Sequence, residues 1–218
     1  MGHAPVTGRA VPIFLIAACI IPATFGSFRI YQVLLDGPFV LKYLADQVDN
    51  PPLLLHMIGA IAFLILGAMQ VLPGIRARNI GLHRRLGRVA APMGIIGAVS
   101  GVWMTLLHPD ISGPILYYGR LLSGTAWAVF ILVSLRFVLR RDIKRHRNWM
   151  IRAYALALPA GTLAFFLLPV VLIIGEEGNE RVLELIQVVA WPVHLAIAEW
   201  IIRRRPARAP SIMALPAQ

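Results

Sequence analysis

Long apolar segments dominate this chain, and its basic residues cluster at alternate ends of them. Three stretches carry the clusters: 74–90, with Arg76, Arg78, Arg84, Arg85 and Arg88; 136–152, with six Arg and Lys144; and 199–208, with four Arg. With Arg9 they hold 17 of the 21 Lys and Arg residues but only two acids, Asp142 and Glu199. The alternate connections hold the other eight acids: Asp36, Asp46, Asp49, Asp110, Glu176, Glu177, Glu180 and Glu184. This is the pattern of a chain threaded repeatedly across a bilayer. Lys and Arg are retained on the cytoplasmic side during insertion, so the basic ends are expected inside. A net charge of +11 would otherwise suggest a nucleic-acid partner. Its confinement to the ends of apolar segments argues against one.

A hydrophobic content of 58% over 218 residues is too high for an ordinary soluble domain. We read six spans, at about 11–35, 52–73, 86–108, 118–139, 149–174 and 182–202. The expectation is an all-α polytopic bundle of six transmembrane helices with both termini cytoplasmic. Residues 1–10 form a leader, 11–205 a single domain, and 206–218 a Pro/Ala-rich tail expected to be disordered. The first apolar run lacks a small-residue cleavage site, so no signal peptide is expected. Within the connection 36–51, Val40, Leu44 and Val48 recur every four residues, as in a short interfacial helix. Pro159 and Pro169 are expected to kink span five. Gly94, Gly97 and Gly101 should let span three approach a neighbour closely.

Cys19 is the only cysteine, which excludes an intrachain disulfide and a thiolate metal site. No phosphate-binding glycine loop, His-Glu-x-x-His or Gly-x-Ser-x-Gly occurs, so hydrolase and nucleotide-driven pump chemistry have no support. Histidine is the residue type left to carry chemistry. His83-Arg84-Arg85 and His146-Arg147-Asn148 each precede an ascending span. If spans three and five are neighbours, their imidazoles face each other at one depth, the arrangement that holds a six-coordinate haem b inside a bundle. Arg84 and Arg147 beside them suit haem propionates, although a basic residue at the headgroup level usually contacts lipid phosphate. His56 lies one turn into span two. His194, two residues after Pro192, lies near the middle of span six, where an ionisable group marks either function or an internal hydrogen bond. A ring pair of His56 and His194 would define an outer polar site for a second haem or a quinone head group. The alternative for His194 is a bond to a backbone carbonyl that Pro192 frees. His108, before Pro109, reads as a helix C-cap.

Other polar groups sit within the spans. Arg29 either snorkels outward or pairs with Glu184. Arg152 and Glu199 are placed to form an interhelical ion pair. The five tryptophans read mostly as an interfacial belt.

The ordered series Leu55-His56-Met57 with Gly59, Gly67 and Gln70, Pro73-Gly74-Ile75-Arg76, His83-Arg84-Arg85-Leu86-Gly87-Arg88 and His146-Arg147-Asn148-Trp149-Met150-Ile151-Arg152-Ala153-Tyr154 resembles a bacterial family of uncharacterised integral membrane proteins, over about residues 52–203. His56 followed by His83-Arg84-x-x-Gly87 is also similar, more distantly, to transmembrane two-haem b cytochromes. That resemblance implies that His83 and His146 ligate one haem on the cytoplasmic side, and that His56 ligates one face of an outer haem. Span four departs from the pattern, reading Tyr117-Tyr118-Gly119-Arg120 where a second outer histidine would stand. Three functions stay open: a haem b electron-transfer protein linked to quinone; a small transporter or lipid-interacting protein; and a structural subunit of a membrane complex or homo-oligomer. The bacterial cytoplasmic (inner) membrane is the expected location.

Overall fold

The computed structural model describes residues 7–34, 51–71, 75, 79–109, 113–163, 170, 173 and 180–204. The expected interfacial helix around 40–48, Pro169, the acidic connection around 175–179, the tail and the side chain of Arg29 lie outside the described residues. Among the described residues there are six principal helices: α1 (Thr7–Leu34), α2 (Pro51–Val71), α3 (Ile80–Leu107), α4 (Pro114–Leu139), α5 (Ile143–Ala157) and α6 (Glu180–Arg203). Four of them, α2, α3, α4 and α6, are long and apolar enough to cross a membrane. α1 contains a shorter apolar stretch, Leu15–Phe28. α5 breaks at Leu158, before Pro159, and helix resumes at 159–163. Pro159 has no N–H to continue the ladder, which is the expected cause of such a break.

Several helix starts lie earlier than hydropathy suggests, two of them through capping. α1 begins at Thr7, inside the expected leader. α3 begins at Ile80 rather than 86, because the Asn79 side chain accepts from the Leu82 amide at 2.9 Å. α5 begins at Ile143 rather than 149, because Asp142 accepts from the Arg145 amide at 3.0 Å. These caps satisfy amides that the first helical turn leaves open. The expected basic loop at 140–148 is therefore a tight turn followed by helix. Its geometry closes α4 in a Schellman pattern: the Asp142 amide donates to the Phe137 carbonyl at 2.9 Å, and the Arg141 amide to Val138 at 3.0 Å. Arg141 has φ 60°, the left-handed conformation that glycine normally supplies.

α2 packs on α3, α3 on α4 and α4 on α5, and a smaller contact of α5 with α2 closes these helices into a four-membered ring. In that ring α2 stands opposite α4, and α3 opposite α5. α1 lies against α2 outside the ring, and α6 against α4 and α5. Phe63, Leu64 and Ile131 fill the centre and are almost wholly inaccessible. The Phe63 ring meets Trp127 edge-on at 5.4 Å and Tyr154 at 5.8 Å. Trp127 is therefore a core residue, unlike the exposed Trp103 and Trp200 that suit the expected belt.

Glycine sets the helix spacing. A Cβ on Gly59 would stand 2.5 Å from the Gly97 amide nitrogen and 2.7 Å from the Met93 carbonyl oxygen, so α2 and α3 touch backbone to backbone. Apolar burial does little for helix association in lipid; close backbone approach and interhelical hydrogen bonds replace it. One such bond runs from the Tyr154 hydroxyl of α5 to the Leu64 carbonyl of α2 at 2.8 Å. The Tyr154 proton is then committed, so the Cys19 thiol of α1, 3.7 Å away, is the donor to the phenol oxygen. The Tyr154 ring occupies the space that a side chain at Gly67 would need.

Candidate functional site

The histidines occupy two ends of this bundle. At the Arg-rich end, His83 is the fourth residue of α3 and His146 the fourth of α5. The two turns are built alike. Asn79-Ile-x-x-His83-Arg84 and Asp142-Ile-x-x-His146-Arg147 each begin with a capping Asx that binds the amide of the third helical residue. This duplicated pattern is legible in the sequence, but only once the cap is recognised as the start of the helix. It places both rings one turn into helices that run in the same direction at opposite corners of the ring. The condition that α3 and α5 be neighbours is not met: α2 and α4 separate them, each packing on both.

His146 is held by α4. Its Nδ1 lies 3.0 Å from the Ser134 carbonyl oxygen and 2.8 Å from Ser134 Oγ, and that hydroxyl donates to the His146 carbonyl at 3.0 Å. A carbonyl oxygen only accepts, so Nδ1 carries the hydrogen, and in the neutral ring Nε2 keeps the lone pair. Ser134 is fully buried. His83 is half-buried; its carbonyl accepts from Gln70 Nε2 of α2 at 3.1 Å, which ties the end of α2 to the first turn of α3. Arg84 and Arg147 are exposed beside them.

At the other end His56 donates from Nδ1 to the Gly97 carbonyl oxygen of α3 at 2.7 Å. Its ring rests on Gly101, where a Cβ would come within 2.7 Å of Nδ1. Arg120 of α4 lies near enough to act on this imidazole electrostatically. His194 takes different partners. Nδ1 donates to the Ala190 carbonyl at 2.7 Å, and Nε2 lies 3.0 Å from the Thr162 hydroxyl, in the helical stretch after α5. Pro192 frees the carbonyl of Val188, four residues before it, so the expected acceptor for His194 is replaced by Ala190. The side chain of a helical residue leans back one turn, which brings the i−4 carbonyl within its reach. The structure does not bring His56 and His194 together. One ring is seated between α2 and α3, the other between α6 and the end of α5. His108 stands at the C-cap of α3, its amide bonded to Met104 O at 3.2 Å.

Two charged contacts complete the picture. Arg152 Nε of α5 pairs with Glu199 Oε1 of α6 at 2.5 Å, the ion pair expected from their positions. Arg203 adds a second contact to Glu199 at 3.7 Å, and Arg152 stacks over Trp149. Glu184 has a role that hydropathy and charge did not suggest: from α6 it binds the Leu116 amide at the start of α4, and it is buried there. Among the described residues no cluster of three or more His, Cys, Asp or Glu side chains is arranged to hold a bare metal ion.

Long apolar helices joined by close glycine contacts, with no strand among the described residues, define a helical integral membrane protein. The chain belongs to the family described as Predicted membrane protein (DUF2306), whose model matches residues 53–202. That span takes in the four-helix ring, both Asx-capped turns and α6. No curated protein matches the sequence. No solved structure matches it.

Proposed function

We propose that this protein is an electron carrier of the bacterial cytoplasmic membrane, binding one b-type haem between His83 and His146 and exchanging electrons with quinone. The observation that carries the reading is the duplicated capped turn, which sets two histidines at one helical position on parallel helices across the bundle axis. His146 is held as a haem ligand would be. Ligating histidines characteristically donate their second ring N–H to a carbonyl or similar acceptor, as His146 does to Ser134. Arg84 and Arg147 are the residues that would pair with propionates. The haem iron, when bound, would supply the one-electron couple; the chain's part is to hold the two imidazoles in place. The distant likeness to two-haem cytochromes agrees with the use of opposite corners, α3 with α5. On the α2–α4 diagonal, His56 faces no second histidine, so a single haem is proposed.

The test is the absorption spectrum of the protein purified in mild detergent from haem-sufficient cells. The expected result is a Soret band with a sharp α band on reduction, lost in His83→Ala and in His146→Ala and kept in His108→Ala. Ser134→Ala should keep haem but shift its midpoint potential, since it alters the ligand's hydrogen bond and not the ligand. A colourless, fully folded preparation, or normal spectra in both ligand variants, overturns the proposal and leaves the transporter and structural-subunit readings.

A further inference from the structure

The outer half of the bundle interior holds a donor and an acceptor that do not meet. Trp127 is 5% exposed, and its indole Nε1–H has no acceptor among the described residues. An orphaned buried donor costs about 1–3 kcal/mol, so it calls for an explanation. The ring itself is well anchored. Phe63 meets it edge-on, and its Cη2 corner lies 3.1 Å from where a Gly97 Cβ would stand. His56 rests on that same glycine, through the bond from Nδ1 to the Gly97 carbonyl. With Nδ1 committed as donor, Nε2 of the neutral ring is an acceptor. Glycine at 97 and 101 is what lets both rings lie against α3. Arg120 occupies the same face of α4, seven residues before Trp127 and so two turns further out.

Both rings therefore bear on Gly97, one with an unpartnered donor and the other with a nitrogen left to accept; the chemical group complementary to both is a hydroxyl, whose oxygen accepts from the indole and whose hydrogen goes to the imidazole. We propose that Trp127 and His56 form a binding site for a hydroxyl group in the outer half of the bundle. Two sources supply that chemistry: an internal water, and the phenolic hydroxyl of a membrane-soluble aromatic of the quinol class. The site is independent of haem at the opposite end, and its test does not use haem.

The experiment is indole NMR on the full chain in lipid nanodiscs, with nitrogen-15 in its five tryptophans. Trp127→Phe identifies the Trp127 signal. The expected position is downfield, as for a hydrogen-bonded indole, moving upfield in His56→Phe while the other four signals stay in place. His56→Asn is the second variant should the phenyl ring disturb packing. Added decyl-tailed benzoquinol shifting the Trp127 signal alone assigns the site to the phenol; cross-relaxation with water and no shift assigns it to water. A Trp127 signal at the position of an unbonded indole overturns the proposal. So does a downfield signal unmoved by either His56 variant. A Soret band measured on the same samples reports separately on the haem.

Discussion

The Glu184 carboxylate, on the last helix, accepts a hydrogen bond at 2.6 Å from the backbone amide of Leu116, sixty-eight residues earlier at the start of α4. The N-cap of α4 is Gly113, which has no side chain to bind an open amide. Glu184 supplies that acceptor from another helix, and Gly113 leaves room for it, since a Cβ there would lie 2.5 Å from both carboxylate oxygens. A negative group at a helix N-terminus also favours the helix dipole. Glu184→Ala should therefore cost about 1–3 kcal/mol, the cost of stranding a buried amide. Glu184→Gln keeps an acceptor and should cost less. Reversible unfolding in mixed micelles measures both; equal losses would mean that the contact is not a cap.

Gly59 and Gly81 make a matched pair. A methyl at Gly59 would press on the backbone of Gly97 and Met93, which no side-chain rotation relieves. At Gly81 it would meet only Asn79 Oδ1, at 3.4 Å. Gly59→Ala is expected to destabilise by about 1–3 kcal/mol through overpacking, and Gly81→Ala to be neutral or to stabilise through its better helix propensity. Thermal aggregation of detergent-purified variants reads the difference.

Arg141 adopts a conformation costing a non-glycine residue about 1–2 kcal/mol. Arg141→Gly should recover roughly 0.5–1 kcal/mol after glycine's entropy in the unfolded chain is counted. Arg141→Val, β-branched, should lose stability. A glycine variant no more stable than the parent would contradict the turn geometry.

The Arg152–Glu199 pair joins α5 to α6, and both side chains are partly exposed. A double-mutant cycle with Arg152→Ala and Glu199→Ala should give a coupling of about 0.5–1 kcal/mol. Arg203→Ala should couple more weakly, since its contact is longer and lies at the exposed surface.

Orientation is testable by thiol labelling in intact cells of a Cys19→Ser background. A cysteine replacing Glu177 should react with an impermeant reagent from outside, and one replacing Arg140 should not, because the basic ends are retained in the cytoplasm. Reversed labelling would invert the topology.

The helical class, the membrane setting and all six helices were legible in the sequence, because hydropathy and charge at segment ends act locally. So were His108 as a cap and the facing charges of Arg152 and Glu199, whose depth follows from residue counts. The Asx caps at Asn79 and Asp142 were equally local, and they were missed only because the Arg-rich stretches looked like loops. Other relationships depend on contacts distant in sequence. Whether α3 lies beside α5 or across from it is settled by which helices pack face to face. Trp127 reads as one more belt tryptophan until Phe63 and Gly97 close around it. His194 turns to Thr162 rather than His56 because α6 packs on α4 and α5. Glu184 becomes a cap only when α6 is set against the first turn of α4. Periodicity reports which residues share a helix face; which neighbour that face meets is determined by the glycine contacts and interhelical hydrogen bonds that assemble the bundle.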